Sequence, residues 1–279
     1  MEPAELGRDT AVTSLRVAPG WYTADLAPHW NYLSPSGGVL MTVALRAMQA
    51  EVLGFRPTSA TALFCAPVPD GPLEIRVEVL RRGNVAAQVR AALSSTTVPG
   101  PGLEVSATFT KPLTGPLGTF AKFPQDLRPL RESHEPVLEP LIGKLPFFGN
   151  FELRDALPTW QAGLHMPRAG RWFRYKRPPR LPDGRLDPLA LPPIADTMPR
   201  ALREALGPDH PPFVAPSLDL TVHFLSDTSC EWLCVHATTR LTRDGYATAD
   251  VEIWDEDETL VAFGTQMMLV KAPFSRTLP

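Results

Sequence analysis

Leu73-Glu74-Ile75-Arg76-Val77-Glu78-Val79 alternates apolar and charged side chains without a fault over seven positions. A period of two sets one face of a strand against a core and the other in water. Arg82-Gly83-Asn84 follows as turn chemistry, and Val85 to Leu93 resumes an extended pattern. Beyond Val98-Pro99-Gly100-Pro101-Gly102, the stretch Val105 to Thr110 reads as another strand. Upstream, Trp21 to Ser34 is extended in character, and Pro35-Ser36-Gly37-Gly38 breaks the chain before a helical pattern. Val39, Leu40, Val43, Ala44, Ala47 and Ala50 share one helix face, with Gly54 as its stop. So much alanine predicts a helix that lies very close to a sheet.

From Lys111 to Pro146 the periodicity dissolves among prolines, Pro140 included, and reads as an ordered but irregular linker. Then the grammar repeats. Phe151 to Arg154 and Arg171 to Tyr175 read as strands, and Asp196 is expected to open a helix with Met198, Ala201, Leu202, Ala205 and Leu206 on its apolar face. Leu218 to Phe224, Trp232 to Leu241, Tyr246 to Trp254 and Leu260 to Val270 read as strands. Arg243-Asp244-Gly245 stands where Arg81-Arg82-Gly83 stood. Strands, one helix, then an antiparallel series, twice over, predict an internal duplication of α+β class. The expected fold is a double hotdog, two antiparallel sheets each wrapped on one central helix and paired edge to edge. The expected units are 1–115 and 146–279, joined by the proline-rich linker 116–145.

Lys and Arg number 27 against 30 Asp and Glu in 279 residues, a formal charge of −3. That balance argues against nucleic acid and anionic membrane surfaces, which need a concentrated basic field. Proline, 32 residues, is about twice its average usage, and in a chain that is 44% hydrophobic it signals rigid loops and not disorder. No apolar run approaches the length of a membrane span, and the acidic start Met1-Glu2-Pro3 is read as excluding a signal peptide. Cys65, Cys230 and Cys234 lack redox or zinc spacing and are expected to be buried small hydrophobes. A cytoplasmic protein is expected, with homo-oligomerisation left open. The six histidines, His165 among them, show no ligand spacing, so neither a metal nor another cofactor is assigned.

Pro35-Ser36-Gly37-Gly38 before an alanine-rich helix, and Leu80-Arg81-Arg82-Gly83-Asn84 before a strand, resemble the first half of acyl-CoA thioesterase II-type enzymes. Ala195-Asp196, Ser217-Leu218-Asp219, and Val261-Ala262 with Gln266 resemble their second half. The resemblance runs from about Trp21 to Val270. It implies hydrolysis of an acyl-CoA by a water that an Asp, a Thr or Ser, and a Gln hold together. By position these are Asp196, Ser217 and Gln266. A thioester carbonyl is already electrophilic, so the water needs a base and orientation more than a covalent nucleophile. The helix N-terminus would supply backbone N–H donors to the oxyanion, with Gly37 and Gly38 letting the substrate approach them. The sequence departs from the family pattern at Val39, where Gln is usual, and at Leu220, where His is frequent.

Each residue also has a plainer reading. Asp196 before Thr197-Met198-Pro199 looks like a helix N-cap. Ser217 would share a solvated strand face with Asp219, Thr221 and His223, which leaves Asp219 as a rival base. Gln266 lies among Ala262, Gly264 and Met268, where a buried amide is costly unless paired. Two other functions stay open: a non-catalytic acyl-thioester binding protein, and a hotdog hydratase or dehydratase with Asp25 and His29 as its only near candidates. No Gly-x-Ser-x-Gly elbow marks a serine hydrolase.

Overall fold

The computed structural model describes residues 4–15, 18–136, 142–157, 166–207 and 209–272. Met1-Glu2-Pro3, Pro140 and His165, which entered the sequence reading, lie outside these residues. The first half contains β1 (Thr13–Ser14), β2 (Trp21–Leu26), β3 (Arg56–Phe64), β4 (Gly71–Arg82), β5 (Ala86–Ser95) and β6 (Leu103–Thr110). The second contains β7 (Phe151–Asp155), β8 (Arg168–Tyr175), β9 (Asp219–Phe224), β10 (Trp232–Arg243), β11 (Tyr246–Asp255) and β12 (Leu260–Leu269). The helices are α1 (Leu6–Asp9), α2 (Gly37–Glu51), α3 (Leu191–Ala195) and α4 (Pro199–Leu206).

In β4 the alternation holds through residue 78, with Leu73, Ile75 and Val77 buried and Glu74, Arg76 and Glu78 exposed, and fails at Val79, which is exposed just before the strand's register slips against β5. The strand order is β1-β2-β4-β5-β6-β3-β9-β12-β11-β10-β8-β7, one 12-stranded sheet. The series β2-β4-β5-β6-β3 is repeated, reversed in space, as β9-β12-β11-β10-β8, so the duplication is visible in the order itself. The two expected half-sheets are therefore continuous. They join where β3 meets β9 antiparallel, with Thr61 opposite Thr221 and their hydroxyls 2.9 Å apart. Joining these edges pairs backbone groups that would otherwise face water or another chain.

Strand β3 escaped the sequence reading, and its composition explains why. Arg56-Pro57-Thr58-Ser59-Ala60-Thr61-Ala62-Leu63-Phe64 buries Pro57, Ala60 and Ala62 and packs Phe64 on the core, so no large aliphatic side chain marks its inner face. Small residues suit a strand lying under α2, but they carry little hydrophobic signal.

Helix α2 is buried on more than the one stripe expected, because Met41, Leu45 and Met48 are as fully covered as Val39, Val43 and Ala44. The sheet covers one side of α2, and α3 packs on another. The second half departs further from expectation. Asp196 does not open a helix; it closes α3, and α4 starts three residues later at Pro199. A proline there collides with the carbonyl four residues back and has no N–H to donate, so one continuous helix is interrupted.

Outside the main core, Trp172, Trp232, Trp254 and Cys234 form a second apolar cluster on the outer face of the sheet. Phe123, Leu127 and Leu130 cover it, and the Trp172 indole donates to the Arg128 carbonyl at 3.1 Å. Cys234 is buried as expected, and burial pushes its thiol pKa up. Cys65 is exposed, contrary to expectation, because it follows the end of β3, where the chain turns out to bond Gly102. No helix of the described residues is long and apolar enough to cross a membrane.

Candidate active site

Helix α3 carries Pro192 and Pro193 in its first turn and ends by placing Asp196 against the N-terminus of α2 in the other half. Gly38 makes this approach feasible: a Cβ there would lie 2.2 Å from the Pro192 carbonyl oxygen. The close approach that this glycine permits is thus helix to helix. Its N–H donates to Asp196 Oδ2 at 3.0 Å, so it is not left over for a substrate oxygen. Gly37 is crowded differently, with a hypothetical Cβ 2.6 Å from the Phe64 ring and 3.3 Å from Asp196 Oδ2.

Ser217 reaches the site through a slip in register. Thr221 pairs with Thr265, but Ser217 pairs with Met268, one residue out of step. One residue changes the face of a strand. Ser217 is therefore not on the solvated face with Thr221 and His223; it sits on the buried face with Met268 and Gln266. Asp219 fills the irregularity by accepting the Met267 N–H at 2.8 Å. That bond gives the rival carboxylate a backbone partner away from the Asp196 cluster.

Asp196, Ser217 and Gln266 close a triangle. Ser217 Oγ donates to Asp196 Oδ1 at 3.0 Å, and Gln266 Nε2 lies 2.8 Å from Asp196 Oδ1 and 2.6 Å from Ser217 Oγ. A carboxylate only accepts, which fixes the amide with Nε2 inward. Gln266 Oε1 is then a buried acceptor with no partner. The other carboxylate oxygen, Oδ2, accepts from Ser36 Oγ at 3.1 Å as well as from Gly38. Asp196 is 5% exposed. Burial raises its pKa above the usual carboxylate range, while the Gly38 amide, Gln266, Ser217 and Ser36 pull against that rise.

Sequence reading missed three neighbours. Ser36 was visible only as part of a helix start, whereas Phe64 ends the unrecognised β3. Tyr32 carries no motif. Burial and the nearby Asp196 carboxylate hold its hydroxyl well above its ordinary pKa. A groove of about 480 Å³ opens at Pro35, lined by Leu33, Ser34, Pro67, Val68, Asp70 and Val98. Asp25 is exposed on β2, and no hydrogen bond joins it to His29 among the described residues. Nor do the described residues contain a cluster of three metal-ligating side chains.

Residues 26–110 match the model of the acyl-CoA thioesterase N-terminal domain, and residues 124–270 match that of the C-terminal domain. The chain belongs to the acyl-CoA thioesterase family and is a thioesterase. Its fold is similar to that of a hotdog-fold protein from Alicyclobacillus acidocaldarius, at 22% identity and TM-score 0.81 over 96% of this chain and 98% of that one. The acyl-CoA thioesterase II of Mycobacterium marinum is 20% identical, with TM-score 0.75 over 98% of this chain and 99% of that one. The tesB protein of Mycobacterium avium subs paratuberculosis is 18% identical, with TM-score 0.74 over 95% and 98%. No curated protein matches the sequence.

Proposed function

We propose that this thioesterase hydrolyses acyl-CoA by direct attack of a water held by Asp196, Ser217 and Gln266. The carrying observation is the unpartnered Gln266 Oε1 beside a carboxylate whose other contacts are all donors. We assign the water to Oδ1, because Ser217 and Gln266 gather around that oxygen, whereas Oδ2 is held by Ser36 and Gly38 at the start of α2. Asp196 takes one proton, Gln266 Oε1 accepts the hydrogen bond of the other, and Ser217 fixes the water's position. The water oxygen bonds to the thioester carbon, and negative charge moves to the carbonyl oxygen. The C–S bond then breaks, releasing the acid and CoA, whose thiolate recovers the proton. With Gly38 N–H engaged by Asp196, we assign the oxyanion to the Gly37 N–H, the first amide of α2.

The mostly apolar groove at Pro35 suits an acyl or pantetheine chain. Residues 1–115 and 146–279 are proposed as the two units and 116–145 as their linker. Three free thiols suit a cytoplasmic setting. The test is free-thiol release from a panel of acyl-CoAs of increasing chain length, by the wild type and Asp196→Asn. Release by the wild type and its loss in the variant are expected. Tight binding without release would favour a binding protein, and equal rates would remove Asp196 from the chemistry.

A further inference from the structure

Ser36 stands at the N-cap of α2, where its carbonyl accepts from the Val39 and Leu40 N–H groups. An N-cap serine ordinarily turns its hydroxyl to the N–H of the second or third helical residue. Here it makes no such bond. The second helical N–H, that of Gly38, is accepted by Asp196 Oδ2 from the other half, and the Ser36 hydroxyl donates to the same oxygen at 3.1 Å. Asp196 thus caps α2 from 158 residues away in sequence, and Ser36 forgoes its local role to hold that oxygen. Ser36 is fully buried, so no water replaces it easily.

We propose that Ser36 is a positioning residue of the first half, holding Asp196 Oδ2 so that the carboxylate stays ionised with Oδ1 turned to the water. This rests on Asp196 being the base. A hydroxyl donating to a carboxylate favours its charged form. Burial acts in the opposite direction on Asp196, so each donor matters to whether the base is ready near neutral pH. The other donors are Gly38, Ser217 and Gln266. Tyr32 is the other titratable group facing the carboxylate among the described residues, and its raised pKa keeps it neutral throughout the range of the test.

The experiment compares wild type, Ser36→Ala, Ser36→Thr and Asp196→Asn by pH profile of kcat/KM and by melting temperature. Ser36→Ala should move the acid limb up by about one pH unit, with the rate approaching wild type above it. Ser36→Thr keeps a hydroxyl and should restore the limb. The 13C carboxyl titration of Asp196, read by NMR, should show the same upward displacement without turnover. An unmoved limb and an unmoved titration in Ser36→Ala, with Asp196→Asn inactive, overturn the role of Ser36 and leave the base assignment standing. Full activity in Asp196→Asn overturns both. A lower melting temperature with an unmoved titration makes Ser36 a packing residue only.

Discussion

The two halves meet at Thr61 and Thr221, and residues placed alike around that meeting point can be compared directly. Both halves carry the same backbone irregularity: Pro57 pairs with Phe109 across a slip in β3–β6, as Ser217 pairs with Met268 across the slip before β9. Two residues before each partner stand Ala107 in the first half and Gln266 in the second. One half therefore has Pro57 and Ala107 where the other has Ser217 and Gln266. The duplicated backbone supplies two frames, but only one carries the polar side chains. The first half contributes a helix N-terminus and Ser36 to the site of the second. A slipped strand is thus a way of aiming a side chain inward, and its chemistry depends on which residue is aimed.

The largest test of that asymmetry is Asp196→Asn. Loss of the base should lower kcat by about 10²–10⁴-fold. Its effect on stability has a definite sign. Burial makes the folded carboxyl pKa higher than the unfolded one. The group's contribution to stability is then full below the unfolded value, near 3.9, and is lost as pH rises through the folded value. The asparagine variant escapes that loss. Melts across a pH series should find it at least as stable as wild type near neutrality, with its advantage fading toward acid.

Ser217→Ala and Gln266→Ala come next. Each misplaces the water and should lower kcat by up to about 10²-fold with little change in KM. Under the proposed mechanism both hold one water, so the double variant should lose less free energy than the two single losses together. A stoichiometric acyl adduct on Ser217 after acid quench, seen by mass spectrometry, would instead make Ser217 a nucleophile.

Ala107→Gln asks whether the first half can be made to resemble the second. The new amide finds the hydrophobic core around Phe109 and no carboxylate, so a stability loss of about 1–3 kcal/mol and no added turnover are expected. Chemical denaturation together with thiol release measures both. The smallest effect should come from Asp219→Asn, whose amide oxygen can still accept from Met267. We expect unchanged kcat and a stability loss of no more than about 1 kcal/mol; a collapse in rate would return Asp219 to candidacy as the base.

Local patterning determined much of this molecule. The faultless alternation at 73–79, the matching turns near Gly83 and Gly245, and the alanine-rich stripe after Gly38 predict helix-on-sheet halves and their repetition, because side-chain period follows from backbone geometry alone. Even the hairpins differ legibly in structure: Asp244 and Gly245 both adopt positive φ, 55° and 81°, a tight turn suited to that pair. Asp196, Ser217 and Gln266 are proposed as a set through family resemblance, since by themselves Asp196 reads first as a cap and Ser217 as well as a surface serine, and only the costly buried amide of Gln266 points to a site. Only the tertiary structure decided three things. It broke the second helix at Pro199, turned Ser217 inward through a one-residue slip, and brought Ser36 and Gly38 to Asp196 from more than 150 residues away. No local pattern encodes these outcomes, because each depends on which backbone lies opposite, and an opposite backbone in a duplicated sheet is chosen by the packing of the whole.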